Sequence, residues 1–304
     1  MTPLVSIFAA NLLPIFLTAS AGFVLGRRLQ TDLKTVSRLA FYILSPCLVF
    51  TSVAHSQLPS AHFWQMASFT LGVVGAMALL ALAAGLVLRL ERRLLASLIV
   101  AAVFVNGGNY GLAVNKFAFG EAALALAVVY YLFSTMGVYT LGVTVASLGK
   151  KPLWHALRQG LTLPTTYALL LAGALRLTGW QVPLPVERAV SLLSQAAVPV
   201  MLLVLGLQFA EMRRWPRPHL GLIGMACFLQ LVVAPLIGLA LASAMGMTGV
   251  IRQAAVLESA MPTAVITTIL AVEYDLDAAF MTGTVVISTL LSPLTVTPLI
   301  AYLR

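Results

Sequence analysis

Charge is scarce in this sequence. Of its 304 residues, 9% are Asp, Glu, Lys or Arg, whereas 61% are hydrophobic. A soluble domain carries roughly 25% charged residues, so this chain has too few charged side chains to cover its surface in water. We therefore predict an all-α membrane protein. The net charge of +9 is spread in short runs between apolar stretches, which indicates loop orientation and not a nucleic-acid-binding face.

Cysteine and recognisable catalytic motifs are also lacking. Cys47 and Cys227 lie far apart within apolar segments without metal-binding spacing, which predicts buried thiols. The sequence contains neither HExxH nor GxSxG, and the stretch Gly142–Lys150 lacks the Ser or Thr that follows the lysine of a phosphate-binding loop. We predict no cofactor, no enzymatic activity and no ATP-driven transport by this chain alone. The histidines fall in predicted loops or at span ends: His55, His62, His155 and His219.

Long polar loops are absent too, which leaves no room for a soluble domain. Because a membrane span needs about 20 mostly apolar residues, the apolar stretches predict ten spanning helices, the first of them uncleaved. These form one integral membrane unit, with residues 1–150 as a first five-helix repeat and residues 151–304 as a second. The predicted spans are 3–26, 36–54, 63–88, 95–115, 121–148, 155–177, 186–209, 218–245, 253–272 and 278–303.

The basic residues predict the orientation of these spans. If the N-terminus lies outside, five of the 18 Lys and Arg residues fall on the outer side and the other 13 on the inner side. The positive-inside rule therefore favours a multi-pass protein of the cell membrane with both termini outside the cytoplasm. The five outer residues are Lys116, Arg176, Arg188, Arg252 and Arg304.

The two halves carry similar helix interruptions about 150 residues apart. Leu13-Pro14 corresponds to Leu163-Pro164, and Pro46 corresponds to Pro199. The stretch 106–111 in span 4 likewise corresponds to 259–263 in span 9. Since each half has an odd number of spans, the two repeats must be inverted in the membrane. Inverted repeats with interrupted helices at matching places are typical of the binding site of a secondary transporter.

The interruption in span 4 is the less helical of the two. Asn106, Gly107, Gly108, Asn109 and Gly111 disfavour a continuous helix in mid-membrane. The half-helix after the break would direct free N–H groups and a positive dipole end towards an anion such as a carboxylate. The alternative is close helix packing through the small residues Gly107 and Gly111.

Span 9 repeats this feature and adds an acid. Met261, Pro262 and Thr263 form the interruption, and Glu258 precedes it by one turn. An intramembrane acid is costly and usually functional, so Glu258 is a candidate carrier of a coupling proton or a ligand of a cation such as Na⁺. Alternatively, Glu258 lies near the outer end of span 9 and pairs with Arg252 or reaches the interface.

Two further side chains are candidates for substrate contact. Tyr139 in span 5 lies too deep for an interfacial aromatic belt and could line a cavity, although packing is the alternative. Ser45 precedes Pro46 and could satisfy a freed backbone carbonyl or contact a ligand. The acidic residues between spans 9 and 10 predict a solvated turn, with pairing to inner arginines as the alternative: Glu273, Asp275 and Asp277.

Two blocks of this sequence resemble the auxin efflux carrier family, including its bacterial malate permease-like branch. They are Asn106–Gly120 (NGGNYGLAVNKFAFG) and Glu258–Asp277 (ESAMPTAVITTILAVEYDLD). The resemblance implies ten helices in two inverted repeats, crossing of broken helices 4 and 9 beside the substrate, elevator-type transport of organic anions and a homodimer. It also implies that Tyr139 faces the substrate. The sequence departs from the family at Ala113, where a proline is usual, and at Glu258, where plant members carry an uncharged amide.

The sequence therefore predicts a secondary active transporter of a small organic anion such as a dicarboxylate or an aromatic acid. Its partners would be that anion and the lipid bilayer, without nucleic acid. A sodium-coupled symporter of the bile-acid type is the first alternative, with bound Na⁺ or transported H⁺ as the coupling ion. An intramembrane enzyme or a receptor is a remote alternative, because no nucleophile–base pair and no output domain are evident.

Overall fold

The computed structural model describes residues 3–54, 59–147, 154, 158, 161–211 and 219–304. Within these residues the regular structure is helical, and the one pairing of extended backbone is an isolated two-residue bridge. His55 and His155, and the basic residues of two predicted inner loops, lie outside the described residues. Those basic residues are Lys150, Lys151, Arg213, Arg214 and Arg217.

The helices follow one another through short connections. Four five-residue π-helical segments, in which the backbone hydrogen bonds span an extra residue, interrupt or extend them at Ala40–Leu44, Gly107–Gly111, Val138–Gly142 and Leu229–Val233. The described α-helices are α1 Pro3–Asn11, α2 Leu13–Arg28, α3 Leu33–Leu39, α4 Ser45–Ala54, α5 Ser60–Val87, α6 Arg92–Val103, α7 Leu112–Gly137, α8 Val143–Ala146, α9 Pro164–Thr178, α10 Leu184–Glu211, α11 Leu220–Phe228, α12 Ala234–Ala244, α13 Gly249–Ser259, α14 Ile266–Glu273 and α15 Ala278–Leu303.

Several of these helices could cross a membrane. Six helical stretches in the described chain are long and apolar enough, and the pair α1–α2, bent by 42° near Leu12, would make a seventh. The prediction of an all-α protein with multiple spans is thus confirmed in its coarse form. The six stretches are Leu33–Ala54, Ser60–Val87, Gly107–Ala146, Leu184–Glu211, Leu220–Ala244 and Ala278–Leu303.

The count of ten spans stays a prediction, because several predicted spans consist of helices that are short or joined to the next span. Predicted spans 4 and 9 are each divided into shorter pieces by a break, at Phe104–Asn106 and at 260–265. The second half of span 4 runs directly into span 5 through Gly120, whose positive φ of 83° bends the chain within α7. The described part of predicted span 6 is α9, with 15 residues.

The prolines that suggested a repeat occupy partly similar positions. Pro14 is the second residue of α2 and Pro164 is the first residue of α9, where a missing N–H costs nothing. Pro46 is the second residue of α4, after a π-helical segment, whereas Pro199 lies inside α10. The Leu-Pro pair therefore marks a helix start in both halves, and the Pro46–Pro199 pair has no such common role.

Helix packing pairs elements from the two halves. Helix α2 packs against α10, and α9 packs against α4. Helix α7 packs against α13, so the regions around the two breaks are also in contact. One buried apolar cluster joins residues of α5, α6, α13 and α15, and a second joins residues of α4, α7 and α10.

Glycine permits the close approach of α2 and α10. A Cβ on Gly206 would overlap the Ala19 carbonyl oxygen and lie 2.6 Å from the Phe23 amide nitrogen. A Cβ on Gly22 would overlap the Leu203 carbonyl oxygen in the same way. The two backbones are thus in direct contact, as in other membrane helix pairs built on small residues.

We expect Gly206→Ala to destabilise the protein by about 1–3 kcal/mol, because the added methyl group meets backbone that cannot rotate away. Gly173→Ala in α9 is a matched control, since nothing lies within 4 Å of its new Cβ, and it should be neutral or stabilising by up to about 1 kcal/mol. Thermal unfolding in detergent measures both variants. Equal stability of the two variants would contradict the close approach of α2 and α10.

Candidate functional site

The two breaks meet as antiparallel extended segments. Val105 pairs with Thr263, and the flanking residues exchange two main-chain hydrogen bonds. The Asn106 N–H donates to the Pro262 carbonyl oxygen at 2.7 Å, and the Ala264 N–H donates to the Phe104 carbonyl oxygen at 2.8 Å. The predicted interruptions of spans 4 and 9 therefore lie side by side in the interior of the protein.

Side chains satisfy further backbone groups at this crossing. The Thr263 hydroxyl donates to the Ala101 carbonyl at 3.0 Å, and the Thr263 N–H donates to Ser288 Oγ at 3.2 Å. Gln230, on the π-helical segment after α11, donates through Nε2 to the Met261 carbonyl at 3.0 Å. Unpaired backbone groups are costly in a membrane, so these bonds explain how two helices can be broken at the same place.

Glu258 lies in the interior beside the first break. Its side chain is fully buried, and Oε1 accepts a hydrogen bond from Asn115 Nδ2 at 2.9 Å. Arg252, the alternative partner suggested by the sequence, instead places its guanidinium 5.7 Å from the centre of the Tyr302 ring. The structure therefore places Glu258 with Asn115 and away from Arg252.

Gly107 and Gly111 form the wall against which the Glu258 carboxyl group packs. A Cβ on Gly111 would lie 2.5, 2.6 and 2.8 Å from Glu258 Oε2, Oε1 and Cδ, and a Cβ on Gly107 would lie 2.7 Å from Oε2. The predicted small-residue packing is therefore present, and its partner is a carboxyl group. Only glycine leaves room for that group at these two positions.

The break of span 4 ends at Asn106, and the residues from there into the π-helical segment Gly107–Gly111 differ in exposure. Asn106 is 4% exposed, and its Nδ2 has no hydrogen-bond partner among the described residues. Asn109 is half-buried, so it is the more accessible amide of the two. Gly108 faces Tyr131, whose Cε2 atom would lie 2.6 Å from an added Cβ.

Ser45 and Tyr139 lie at the edge of this group. The Ser45 hydroxyl donates to the Ala40 carbonyl at 2.8 Å, which is the structural role expected for it. The Tyr131 side chain lies near the Ser45 hydroxyl and faces Gly108, so it stands between these two residues. Tyr139 is half-buried with its ring 6.3 Å from that of Phe41, and both rings line a shallow pocket with Thr162 and Pro164.

The sequence-based prediction missed three polar neighbours of the crossing: Asn115, Gln230 and Tyr131. Asn115 follows Gly111 by four residues, which places both on one helix face, and it is buried in an apolar run. Gln230 is likewise a fully buried polar residue between apolar ones. A polar residue within an apolar span was the signal that could have identified both.

The remaining sequence candidates lie outside the crossing. Asp275 is exposed and pairs with Arg93 at 3.2 Å, so the acidic turn does contact one of the arginines that the sequence predicts on the inner side. Asp277 accepts from the Phe280 N–H at the start of α15 and lies 3.5 Å from His219 Nε2. Cys227 is buried as predicted, whereas the prediction for Cys47 was too strong because that residue is half-buried.

The apolar helices indicate a multi-pass membrane protein. Its two broken helices cross in the interior and enclose the polar side chains described above. The family described as "Membrane transport protein" matches residues 7–153 and 147–300. The chain belongs to this family, which agrees with the resemblance found in the sequence, while the malate permease-like branch stays a prediction.

Two archaeal relatives are similar over most of their length. An uncharacterized transporter of Methanothermobacter thermautotrophicus is 27% identical over 277 residues, covering 88% of each chain. An uncharacterized transporter of Methanocaldococcus jannaschii is 23% identical over 271 residues, covering 86% of this chain and 87% of the relative. Family and relatives indicate a membrane transporter.

We expect Gly111→Ala to destabilise the protein by about 1–3 kcal/mol, because its Cβ would overlap the Glu258 carboxyl group. In a protein that already carries Glu258→Ala, Gly111→Ala should lower the free energy of unfolding by a smaller amount. The coupling energy between the two substitutions should be about 0.5–3 kcal/mol. Thermal unfolding of the four variants of this cycle measures the coupling, and Gly75→Ala, with open space at its Cβ, is the control. Strict additivity would show that Gly111 and Glu258 are not in contact.

Proposed function

We propose that this protein is a secondary active transporter of a small organic anion that carries a carboxylate and binds at the crossing of the two breaks. The observation that carries the proposal is the start of the half-helix at Gly107. Its first intrahelical bonds are donated by Tyr110 and Gly111 to the Asn106 carbonyl, so the amides of Gly107, Gly108 and Asn109 precede the hydrogen-bonded turns. Such an end favours a negatively charged group.

Two asparagines would complete the anion site. Asn106 has a buried donor that is without a partner in the described part of the chain, and a buried donor of this kind is costly unless a ligand or water satisfies it. Asn109 is half-buried and offers a second amide on the same turn. Backbone from Met261 to Thr263 forms the opposite wall, with Ser45 and Tyr139 further out.

The helix packing supports two inverted five-helix repeats, and in the proposed cycle one part of each repeat moves against the rest. In this assignment the pair α1–α2 is span 1, the stretch from the π-helical segment to Phe119 completes span 4, and 121–146 is span 5. Helices α2 and α9 hold equivalent places in the two repeats, and so do α4 and α10. The contact of α2 with α10 is therefore equivalent to the contact of α9 with α4, and both contacts are present. The elevator-type mechanism assigns α2, α4, α9 and α10 to a scaffold and the crossing to the moving part. A homodimer remains a prediction from the resemblance.

Glu258 is the proposed coupling residue. It is buried, acidic and adjacent to the proposed anion site, and intramembrane acids commonly carry coupling ions. Transport would then be driven by a proton or by a cation such as Na⁺. The sodium-coupled alternative of the bile-acid type requires sodium-dependent uptake in proteoliposomes, whereas proton coupling requires a pH gradient.

We expect Asn106→Leu to abolish stabilisation by carboxylates while leaving the protein folded, because the variant loses the unpartnered donor. A ligand present at 100 times its dissociation constant should stabilise the wild type by roughly 2.7 kcal/mol. A thermal-shift screen with succinate, malate and benzoate, with and without Na⁺ and across pH, measures this effect.

The exposed amide variant Gln195→Leu is the matched control and should respond as the wild type does. An undiminished response of Asn106→Leu to a carboxylate that stabilises the wild type would remove Asn106 from the site.

The proposed orientation in the cell membrane, with both termini outside, can be tested with single cysteines. After Cys47 and Cys227 are replaced by serine, we expect Arg304→Cys to react with a membrane-impermeant thiol reagent on intact cells. Arg89→Cys, in the turn after α5, should react only after permeabilisation. The opposite labelling pattern would contradict this orientation and indicate that the C-terminus lies in the cytoplasm.

A further inference from the structure

The Glu258 carboxyl group packs against the first turn of the half-helix that the proposed anion site uses. A Cβ on Gly107, the first residue of that half-helix, would lie 2.7 Å from Oε2, and a Cβ on Gly111 would lie 2.5 Å from the same atom. Glu258 is therefore beside the turn whose first amides would bind the carboxylate.

Among the residues that the structure describes, no fixed cation balances the charge of Glu258. Within the described part of the chain, no Lys, Arg or His side chain lies within ion-pair distance of it. The polar side chains that face it are neutral: Asn115 donates to Oε1, and the Tyr130 ring is the nearby titratable group from α7. Among these residues, a negative charge on Glu258 is therefore stabilised by the dipole of the half-helix and by the hydrogen bond from Asn115.

Two oxygen atoms, one in this carboxyl group and one in its hydrogen-bonding partner, have no hydrogen-bond partner of their own among the described residues. They are Glu258 Oε2 and Asn115 Oδ1, and both are buried. Buried acceptors of this kind are costly when unpaired. They form a place where a small positively charged species would be stabilised next to the half-helix.

We infer that the Glu258 carboxylate is a built-in counter-anion of the crossing, which opposes a bound organic anion until a positive co-ion neutralises it. This inference rests on the proposed function and specifies its regulation. Two negative charges that share one helix end in a poorly polarisable interior repel each other. Anion and co-ion would therefore bind together, each raising the affinity for the other by the same factor.

The inference also gives a role to the two glycines. Gly107 and Gly111 allow the carboxyl group to pack against the first turn of the half-helix, where it lies close to the proposed anion site. When a carboxylate substrate arrives without its co-ion, the site would hold two negative charges on one positive end. The substrate would then be bound weakly and released, which prevents uncoupled transport.

The test compares the affinities of Glu258→Gln and the wild type for succinate, malate and benzoate at alkaline pH without Na⁺. Glutamine keeps the shape of the side chain and removes its charge. We expect Glu258→Gln to bind the anion at least about fivefold more tightly, at the lower end of typical coupling factors between sites. Addition of Na⁺ or acid should strengthen binding to the wild type but not to Glu258→Gln.

Glu121→Gln is the matched control, because Glu121 is exposed and paired with Lys116 at 2.8 Å. It should bind the three anions as the wild type does and keep the response to Na⁺ or acid. Unfolding of each ligand-free variant checks that the variants are folded.

Equal or weaker anion binding by a folded Glu258→Gln, with binding intact in the wild type, would overturn the inference and leave the proposed function standing. Failure of all three proteins to bind any of the three anions would overturn both. If Glu258→Gln does not fold, the wild type alone decides: an anion affinity that neither Na⁺ nor acid changes would contradict the inference.

Discussion

Mutual pairing of two extended backbone segments is the interaction on which this structure depends. A helix broken within a membrane exposes main-chain N–H and C=O groups that water cannot reach. Here each break supplies the partner of the other, through Asn106 with Pro262 and Phe104 with Ala264. A single break would leave its backbone groups unpaired. We therefore expect the two breaks, one in each half of the chain, to stabilise each other.

This arrangement brings polar groups into an apolar interior without exposing them to lipid. The crossing gathers the start of the half-helix at Gly107, the unpartnered Asn106 amide and the buried Glu258 carboxyl group. Each is costly to bury, and the hydrogen bond from Asn115 to Glu258 Oε1 offsets part of the cost for the carboxyl group. A site with both a positive helix end and its own acid has the chemical means to bind an anion together with a co-ion.

The sequence predicted the local features of this site well, because glycine and proline act locally. Pro262 lies within the break of span 9, whereas the predicted interruption 106–111 overlaps the observed break of span 4 at Asn106, because Gly107–Gly111 form the π-helical start of the next half-helix. The backbone preferences of glycine and proline do not depend on distant residues. Membrane character follows from composition alone. The pairing of Glu258 with Asn115 could not be predicted in this way, since the two residues are 143 positions apart and their contact depends on how the halves pack. The direct continuation of span 4 into span 5 at Gly120 and the half-burial of Cys47 depend on tertiary structure for the same reason.

The pairing of the two breaks can be measured directly with a disulfide. Val105 and Thr263 form the non-hydrogen-bonded pair of an antiparallel bridge, in which Cα atoms lie about 4.5 Å apart, within the range that a disulfide spans. In a protein whose Cys47 and Cys227 are replaced by serine, the pair Val105→Cys and Thr263→Cys should therefore oxidise readily to an intramolecular disulfide. The pair Val105→Cys and Ile269→Cys, with Ile269 on an exposed part of α14, should not. Failure of the first pair to cross-link in folded protein, or equal cross-linking of both pairs, would contradict the crossing.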